Sequence, residues 1–377
     1  MLPDRAMNTR PAHPLPNDAL PPALSRRATL ALLLATPWGL ARAGETLTGA
    51  GSSAAAPLYR AWAAAYGKTQ DVQLQYEASG SSAGLKKIRA QEVAFGASDV
   101  APTEAELGRD QLLLVPTFVT GAVPVVNLPR VPRGRLRLTG EVLAQIFLGS
   151  ITRWSAPEIA ALNPELSLPD LAIRPVGRSD GSGTTWYVAD YLARLSPTWK
   201  ERLGAKTSLA WGDHVTGAKG SDGVVRAVQD TAGAIGYVDF NYVGANSLSP
   251  VQLRNAAGEF ATAGVAGFKA ALRASDWTAR GNFHASLANL PGPGVWPITM
   301  GTFVLLPRVS SQPAETARAL RFLMWALLKG DSVVEGLSFV RLPDALQASA
   351  FKALSSVVDK QGRKLGTEAF SAVAQAG

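Results

Sequence analysis

From Thr46 onward, short apolar stretches alternate with segments whose apolar residues return every three or four positions. Val72, Leu74 and Tyr76 alternate with polar residues, the period of a strand with one buried face. Leu58, Trp62 and Tyr66 keep the spacing of a buried helix stripe, as do Val188, Leu192 and Leu195. Thr103 with Glu106 and Ser155 with Glu158 have the spacing of capping boxes, the second with Pro157 in its first turn. Near the end, Phe303 to Leu306 predicts a buried strand, and Glu315 to Lys329 a helix stopped by Gly330. Such a rhythm predicts an α/β protein with helices packed on the faces of a sheet. No repeat of solenoid or propeller period and no Gly/Ser linker interrupts it, so the 377 residues are expected to form two lobes joined by crossing strands.

Three strand-to-helix junctions share a chemistry: Gly49-Ala50-Gly51-Ser52-Ser53, Ser79-Gly80-Ser81-Ser82 and Asp180-Gly181-Ser182-Gly183-Thr184-Thr185. Each offers hydroxyls and bare N–H groups at a helix start. An anion binds well there, because the first N–H groups lack partners and the helix dipole is positive. One such turn is usually just a cap; three in one chain exceed what capping requires. Arg178, two residues before Asp180, can fork onto an oxyanion while Asp180 holds it in place. No G-x-x-x-x-G-K-[ST] loop occurs, so the expected ligand is a small, compact anion and not a nucleotide. Asp99 ends the apolar stretch Phe95-Gly96-Ala97-Ser98-Asp99, and its commonest role there is a turn or cap.

Composition narrows the class. The chain has no Cys, which excludes disulfides, thiolate metal sites, cysteine nucleophiles and a lipid on an N-terminal Cys. The formal charge of +8 includes five Arg and two Asp in the first 43 residues, leaving a mild +5 for the remainder. Its one dense basic run, Arg130, Arg133, Arg135 and Arg137, suits a solvated loop or strand edge, and no nucleic acid is expected as a partner. Residues 1–43 have the layout of a cleavable export signal: Ser25-Arg26-Arg27, an apolar stretch from Ala28 to Trp38, and Ala41-Arg42-Ala43. That stretch is too short to span a bilayer, which takes about 20 residues. The paired arginines fit the twin-arginine route as well as an ordinary signal, and Met7 is a second candidate start.

Taken together, these segments resemble the periplasmic phosphate-binding proteins of ATP-driven phosphate importers. The resemblance runs from Leu47 to the C-terminus. Its marks are Leu47-Thr48-Gly49-Ala50-Gly51 with Ala56-Pro57-Leu58-Tyr59, Gly80-Ser81-Ser82, Phe95 to Asp99, Arg178 to Thr184, Gly233-Ala234-Ile235-Gly236-Tyr237-Val238, and Trp296-Pro297-Ile298-Thr299. It implies a two-lobed, type II periplasmic-binding-protein fold closing on one dehydrated phosphate. Residues 1–43 would be the leader, 44–120 plus 300–377 the first lobe and 121–299 the second. By motif position, the resemblance implies anion contacts from the Ser53 hydroxyl, the Ala54 N–H, Ser81, Arg178, Ser182, the Gly183 N–H, and the Thr184 N–H and hydroxyl. It makes Asp99 the acceptor of a ligand proton and Asp180 the support of Arg178. Family members usually carry Thr-Phe where this chain has Ser53-Ala54, which keeps the donors and loses an aromatic ring.

Asp99 then explains a choice among anions. Phosphate near neutral pH keeps a proton to donate to a carboxylate, whereas sulfate has none; arsenate, which keeps one, should be rejected poorly. The implied role is delivery of inorganic phosphate to an inner-membrane permease with its ATPase, by a periplasmic monomer without cofactor or metal. The alternatives are a secreted phosphate sensor or scavenger, or a phosphatase-like hydrolase on the same fold with Ser182 as nucleophile. The last lacks the G-x-S-x-G spacing and has only His214 and His284 after the leader as bases, and the same pair with no Cys makes a zinc enzyme unexpected.

Overall fold

The computed structural model describes residues 45–70 and 72–375. The expected export signal, its twin-arginine pair and the alternative start at Met7 lie outside the described residues.

One mixed sheet organises the chain. Its main strands are β1 (Glu45–Gly51), β2 (Val72–Glu77), β3 (Phe95–Ser98), β4 (Leu112–Val126), β5 (Arg174–Arg178), β6 (Thr216–Ala218), β7 (Ala234–Asp239) and β8 (Thr299–Pro307). They lie in the order β2-β1-β3-β8-β4-β7-β5-β6, with Ser249–Pro250 also paired to β4. β1 is parallel to β2 and β3, and β5 is parallel to β6 and β7. The two parallel sets are joined by antiparallel pairing through β8 and β4.

β4 is the longest strand because its sequence, LLLVPTFVTGAVPVV, is apolar on both faces, as a strand covered on both sides must be. Leu112 to Gly121 pair with β8, and Ala122 to Val126 pair with β7. The same strand therefore belongs to both halves. The buried apolar residues divide accordingly. One cluster gathers Leu47, Tyr59, Trp62, Phe95, Phe118, Phe322 and Leu354; the other gathers Val123, Trp154, Leu192, Val224, Ile235, Trp296 and Met300.

The β4–β8 ladder shifts register between Thr302 and Phe303, opposite Pro116 to Phe118. Pro116 has no N–H to offer the ladder, and a bulge re-aims the side chains beside it. The Thr117 hydroxyl donates to the Thr302 carbonyl at 2.9 Å, pinning the irregularity.

Parallel strands feed helices: β1 leads to α1 (Ala56–Tyr66), β2 to α2 (Ser81–Arg89), β5 to α3 (Gly183–Leu195) and β6 to α4 (Gly220–Asp230). The helix Glu104–Arg109 has the expected capping box, with Thr103 accepting from the Glu106 N–H and Glu106 accepting from the Thr103 N–H. The box expected at Ser155 does not form. The helix there is Pro157–Ala160, its N-cap Ala156 makes no side-chain cap, and the Ser155 hydroxyl donates to Asp170 Oδ1 at 2.8 Å. That carboxylate, which also pairs with Arg153, is a stronger acceptor for the hydroxyl than any neutral group nearby. The arginine run lies where expected, in an exposed loop and on the edge strand Arg137–Leu138.

α2 reaches its position because Gly84 lets it lie directly on the sheet. A Cβ there would come within 2.5 Å of Gly51 Cα and 2.7 Å of the Ala50 and Ala97 carbonyl oxygens. These neighbours are backbone and cannot swing aside. Gly84→Ala is therefore expected to lower folding stability by about 1–3 kcal/mol, despite alanine's better helix propensity, as read by chemical denaturation.

Candidate functional site

The ends of β1, β3 and β5 meet at one place, and the N-termini of α1, α2 and α3 supply donors to it. At its centre is Asp99, one residue past β3 and almost fully buried. Ser52 Oγ lies 2.7 and 2.8 Å from its two carboxylate oxygens, Thr302 Oγ1 donates to Oδ1 at 2.8 Å, and Ser81 Oγ donates to Oδ2 at 3.3 Å. Burial pushes the Asp99 carboxyl up, while the Ser52 and Thr302 hydroxyls, the Arg178 charge and Ser81 hold it down. A carboxylate accepts about four hydrogen bonds, and three hydroxyls supply one hydrogen each. Acceptor capacity for one further proton remains.

Arg178 is the last residue of β5, and its side chain is 2% exposed. Its Nε and Nη2 bond both oxygens of Asp180, at 2.7 and 2.5 Å, leaving the rest of the N–H fork for a ligand. Burial pulls the Asp180 carboxyl upward, but the hydrogen bonds and charge of Arg178 outweigh it and leave it below the usual carboxylate range. Asp180 Oδ1 also accepts from the Gly220 N–H at 2.9 Å.

The third turn opens α3. Ser182 is its N-cap, accepting from the Thr185 N–H at 3.2 Å, so its own hydroxyl hydrogen stays available. The Gly183 N–H donates to Ser81 Oγ at 3.2 Å. Thr184, between them, carries a first-turn N–H that the helix cannot pair internally. Gly183 is required by proximity: a Cβ would lie 2.5 Å from Asp99 Cβ and 2.8 Å from Ser81 Oγ. Gly80 has φ +94°, and a Cβ there would meet Asp180 Oδ2 at 2.5 Å. The second and third turns also bond directly, Ser82 N–H to the Gly181 carbonyl at 3.1 Å.

The first turn places Ser53 and Ala54 just ahead of α1. Both are buried, and Ser53 Oγ lies 2.9 Å from Ser221 Oγ at the start of α4. Ser53, Ala54, Ser81, Asp99, Arg178, Asp180, Ser182, Gly183 and Thr184, the residues expected at an anion site, thus sit at or beside these converging turns. Sequence reasoning missed Ser52, Thr302 and Ser221. Ser52 was one position away in a turn already noted, and Lys219-Gly220-Ser221-Asp222 is a fourth Gly/Ser junction ahead of a helix. Thr302 carried no local signal, being one small residue inside a buried strand. His214 and His284 lie elsewhere, against the Phe147 carbonyl and Glu104 respectively. Among the described residues, no group of three or more His, Asp or Glu side chains could hold a metal ion.

Asp239 ends β7, paired with Ala122 of β4, and is fully buried. Its Oδ1 accepts from the N–H and side-chain amide of Asn241. Among the described residues its Oδ2 has no hydrogen-bond partner, and the Thr120 hydroxyl lies close enough to favour ionisation yet outside hydrogen-bond geometry. Burial pushes this carboxyl up to about 8, against the Asn241 N–H and with added repulsion from Asp99.

The fold is that of the two-lobed periplasmic binding proteins. The PBP superfamily domain matches residues 37–308. The phosphate-binding protein PstS of Pasteurella multocida is 39% identical over 322 residues, covering 85% of this chain and 93% of that one. PstS of Methanocaldococcus jannaschii is 30% identical over 321 residues, covering 78% and 82%. At the level of fold, a phosphate-binding protein from Stenotrophomonas maltophilia superposes with a TM-score of 0.60 at 18% identity, covering 81% of this chain and 92% of that one. A high-affinity periplasmic phosphate-binding protein bound with phosphate gives 0.63 at 18% identity, covering 86% and 97%. The chain belongs to the PstS family of phosphate-binding proteins.

Asp239 sets a pH dependence of folding. The folded protein holds a proton to about pH 8 that the unfolded chain releases near pH 3.9. The stability contributed by this group is whole below about pH 4 and is lost as pH rises through about 8. Asp239→Asn is expected to remove that loss, so its melting temperature relative to wild type should be higher at pH 8 than at pH 5; equal differences would rule the assignment out.

Proposed function

We propose that the protein binds inorganic phosphate outside the cytoplasm and delivers it to an ATP-driven import permease. The observation that carries this reading is the pairing of one buried, hydroxyl-laden carboxylate, Asp99, with a convergence of anion donors around it. In this reading Arg178, Ser53 and Ser182, the N–H groups of Ala54 and Thr184, and the Thr184 hydroxyl donate to the phosphate oxygens, and the Ser81 hydroxyl and the Gly183 N–H would exchange their bonds to Asp99 and to Ser81 Oγ for bonds to the anion. Asp99 accepts the proton phosphate retains. Asp180 holds the guanidinium of Arg178 flat by its bidentate bond. A fully deprotonated oxyanion would set its lone pairs against the Asp99 charge, and its binding would be opposed by that repulsion.

The division of donors supports hinge closure: Ser53 and Ser81 follow strands of one apolar cluster, while Arg178 and α3 belong with the other. We place the lobe boundaries where β4 and β8 cross between clusters, near Thr120 and Met300. Binding shared between lobes favours the shut form only when the anion is present, and a shut, loaded receptor is a shape a permease can recognise. Closure on one ligand requires no second subunit, which supports a monomer. The relatives are named as binding proteins. No helix among the described residues is long and apolar enough to cross a membrane, so the permease and its ATPase would be separate chains. A hydrolase reading finds no support at Ser182, whose hydroxyl oxygen accepts from the Thr185 N–H, while both histidines are bonded elsewhere.

Calorimetric titration of ligand-stripped protein tests the reading. Phosphate is expected to bind at micromolar or tighter, about −8 kcal/mol or stronger, with sulfate at least about 10⁴-fold weaker at the same pH and salt. Equal affinity for the two anions would sink the role given to Asp99. Asp99→Asn, which keeps the shape and removes the charge, should cut the preference for phosphate over sulfate by at least about tenfold, measured as the ratio of their dissociation constants.

A further inference from the structure

Ser53 and Ser221 are 168 residues apart, yet their hydroxyl oxygens lie 2.9 Å from each other. Both side chains are buried, at 5% and 1% exposure. Ser221 stands in the first turn of α4, a helix that packs Val224, Val225 and Val228 into the cluster opposite the one that anchors β1. The residue before it, Gly220, donates its N–H to Asp180. One turn of α4 therefore touches both the support of Arg178 and the first anion turn.

The backbone of Ser53 is already held, because its carbonyl accepts from the Tyr242 hydroxyl at 3.0 Å. What remains free is the side chain. Serine has three staggered rotamers, and its hydroxyl carries one hydrogen and two lone pairs. If that hydrogen points at Ser221, none is left for an anion. The one proton the phosphate retains goes to Asp99, so toward Ser53 the anion presents only lone pairs, and beside it the direction of the pair is decided: Ser221 donates and Ser53 accepts.

We propose that Ser221 is a positioning residue for anion binding, which donates across the cleft to Ser53 Oγ and turns the single Ser53 hydrogen toward the ligand. The proposal deepens the phosphate reading and rests on it. Because the two serines come from elements rooted in different apolar clusters, the bond forms only when the lobes are shut, and it adds to closure without touching the ligand.

The test is phosphate titration into the purified wild type, Ser221→Ala, Ser53→Ala and the double variant, with a thermal melt of each in ligand-stripped form. Ser221→Ala is expected to weaken phosphate binding about three- to tenfold while leaving the ligand-free melt unchanged. Ser53→Ala should weaken it at least as much, and the double variant should bind like Ser53→Ala alone, since Ser221 acts only through that hydroxyl. Unchanged binding in Ser221→Ala, losses that multiply in the double variant, or a lowered melt with intact affinity would each overturn the proposal. A wild type that takes up no phosphate would instead remove the phosphate reading, and this inference with it.

Discussion

A carboxylate cannot be carried into a protein interior without hydrogen bonds or a counter-charge, and the position of Asp99 makes that demand on three separate stretches of chain. Ser52 comes from the end of β1, Ser81 from the start of α2, and Thr302 from β8, which follows Asp99 by about 200 residues. These hydroxyls meet only if β1, β3 and β8 lie in the observed order, so the sheet topology and the site are one constraint. The register shift at Thr302 and Phe303 belongs to it as well, since it sits where the strand must present a hydroxyl to a buried charge.

The opposite charge is handled by the same means. Arg178 is buried, and its partner Asp180 is itself tied to the Gly220 N–H. A buried ion pair is a weak source of stability, because desolvation of both ions offsets their attraction. Its use is orientation: a planar guanidinium held by two bonds presents its remaining donors in one plane. Asp99 and Arg178 also act on each other, the cation being among the groups that hold the carboxyl down. An arriving anion that brings a proton satisfies both, adding acceptors for the cation and a donor for the carboxylate.

Close approach is the remaining requirement. Gly183 lets the start of α3 come up against Asp99, and Gly84 lets α2 lie on β1 and β3. Donors that are N–H groups of the backbone cannot be moved toward an anion by choosing longer side chains; the helices themselves must be brought in. The cost is a set of positions where no side chain is tolerated, which is why glycine recurs in the turns, with serine where a short hydroxyl is needed.

Much of this was legible in the chain. Strand and helix periods mark β2, α1 and α5 (Pro313–Lys329) because burial of one face imposes them locally, and glycine and serine at strand-to-helix junctions mark the anion donors because each turn needs them for its own geometry. Arg178 and Asp180, two residues apart, declare their pairing by proximity. Three features were decided only in three dimensions. The Ser155 cap gave way to a carboxylate brought in from Asp170, Thr302 became a partner of Asp99 through strand order, and Ser53 met Ser221 across the cleft. Sequence by itself determined which segments are strands, helices and donor turns, since those depend on neighbours within a few residues. Tertiary structure decided which hydroxyl serves which charge, because a hydrogen bond is set by distance in space and the strand crossings bring together residues that the chain keeps far apart.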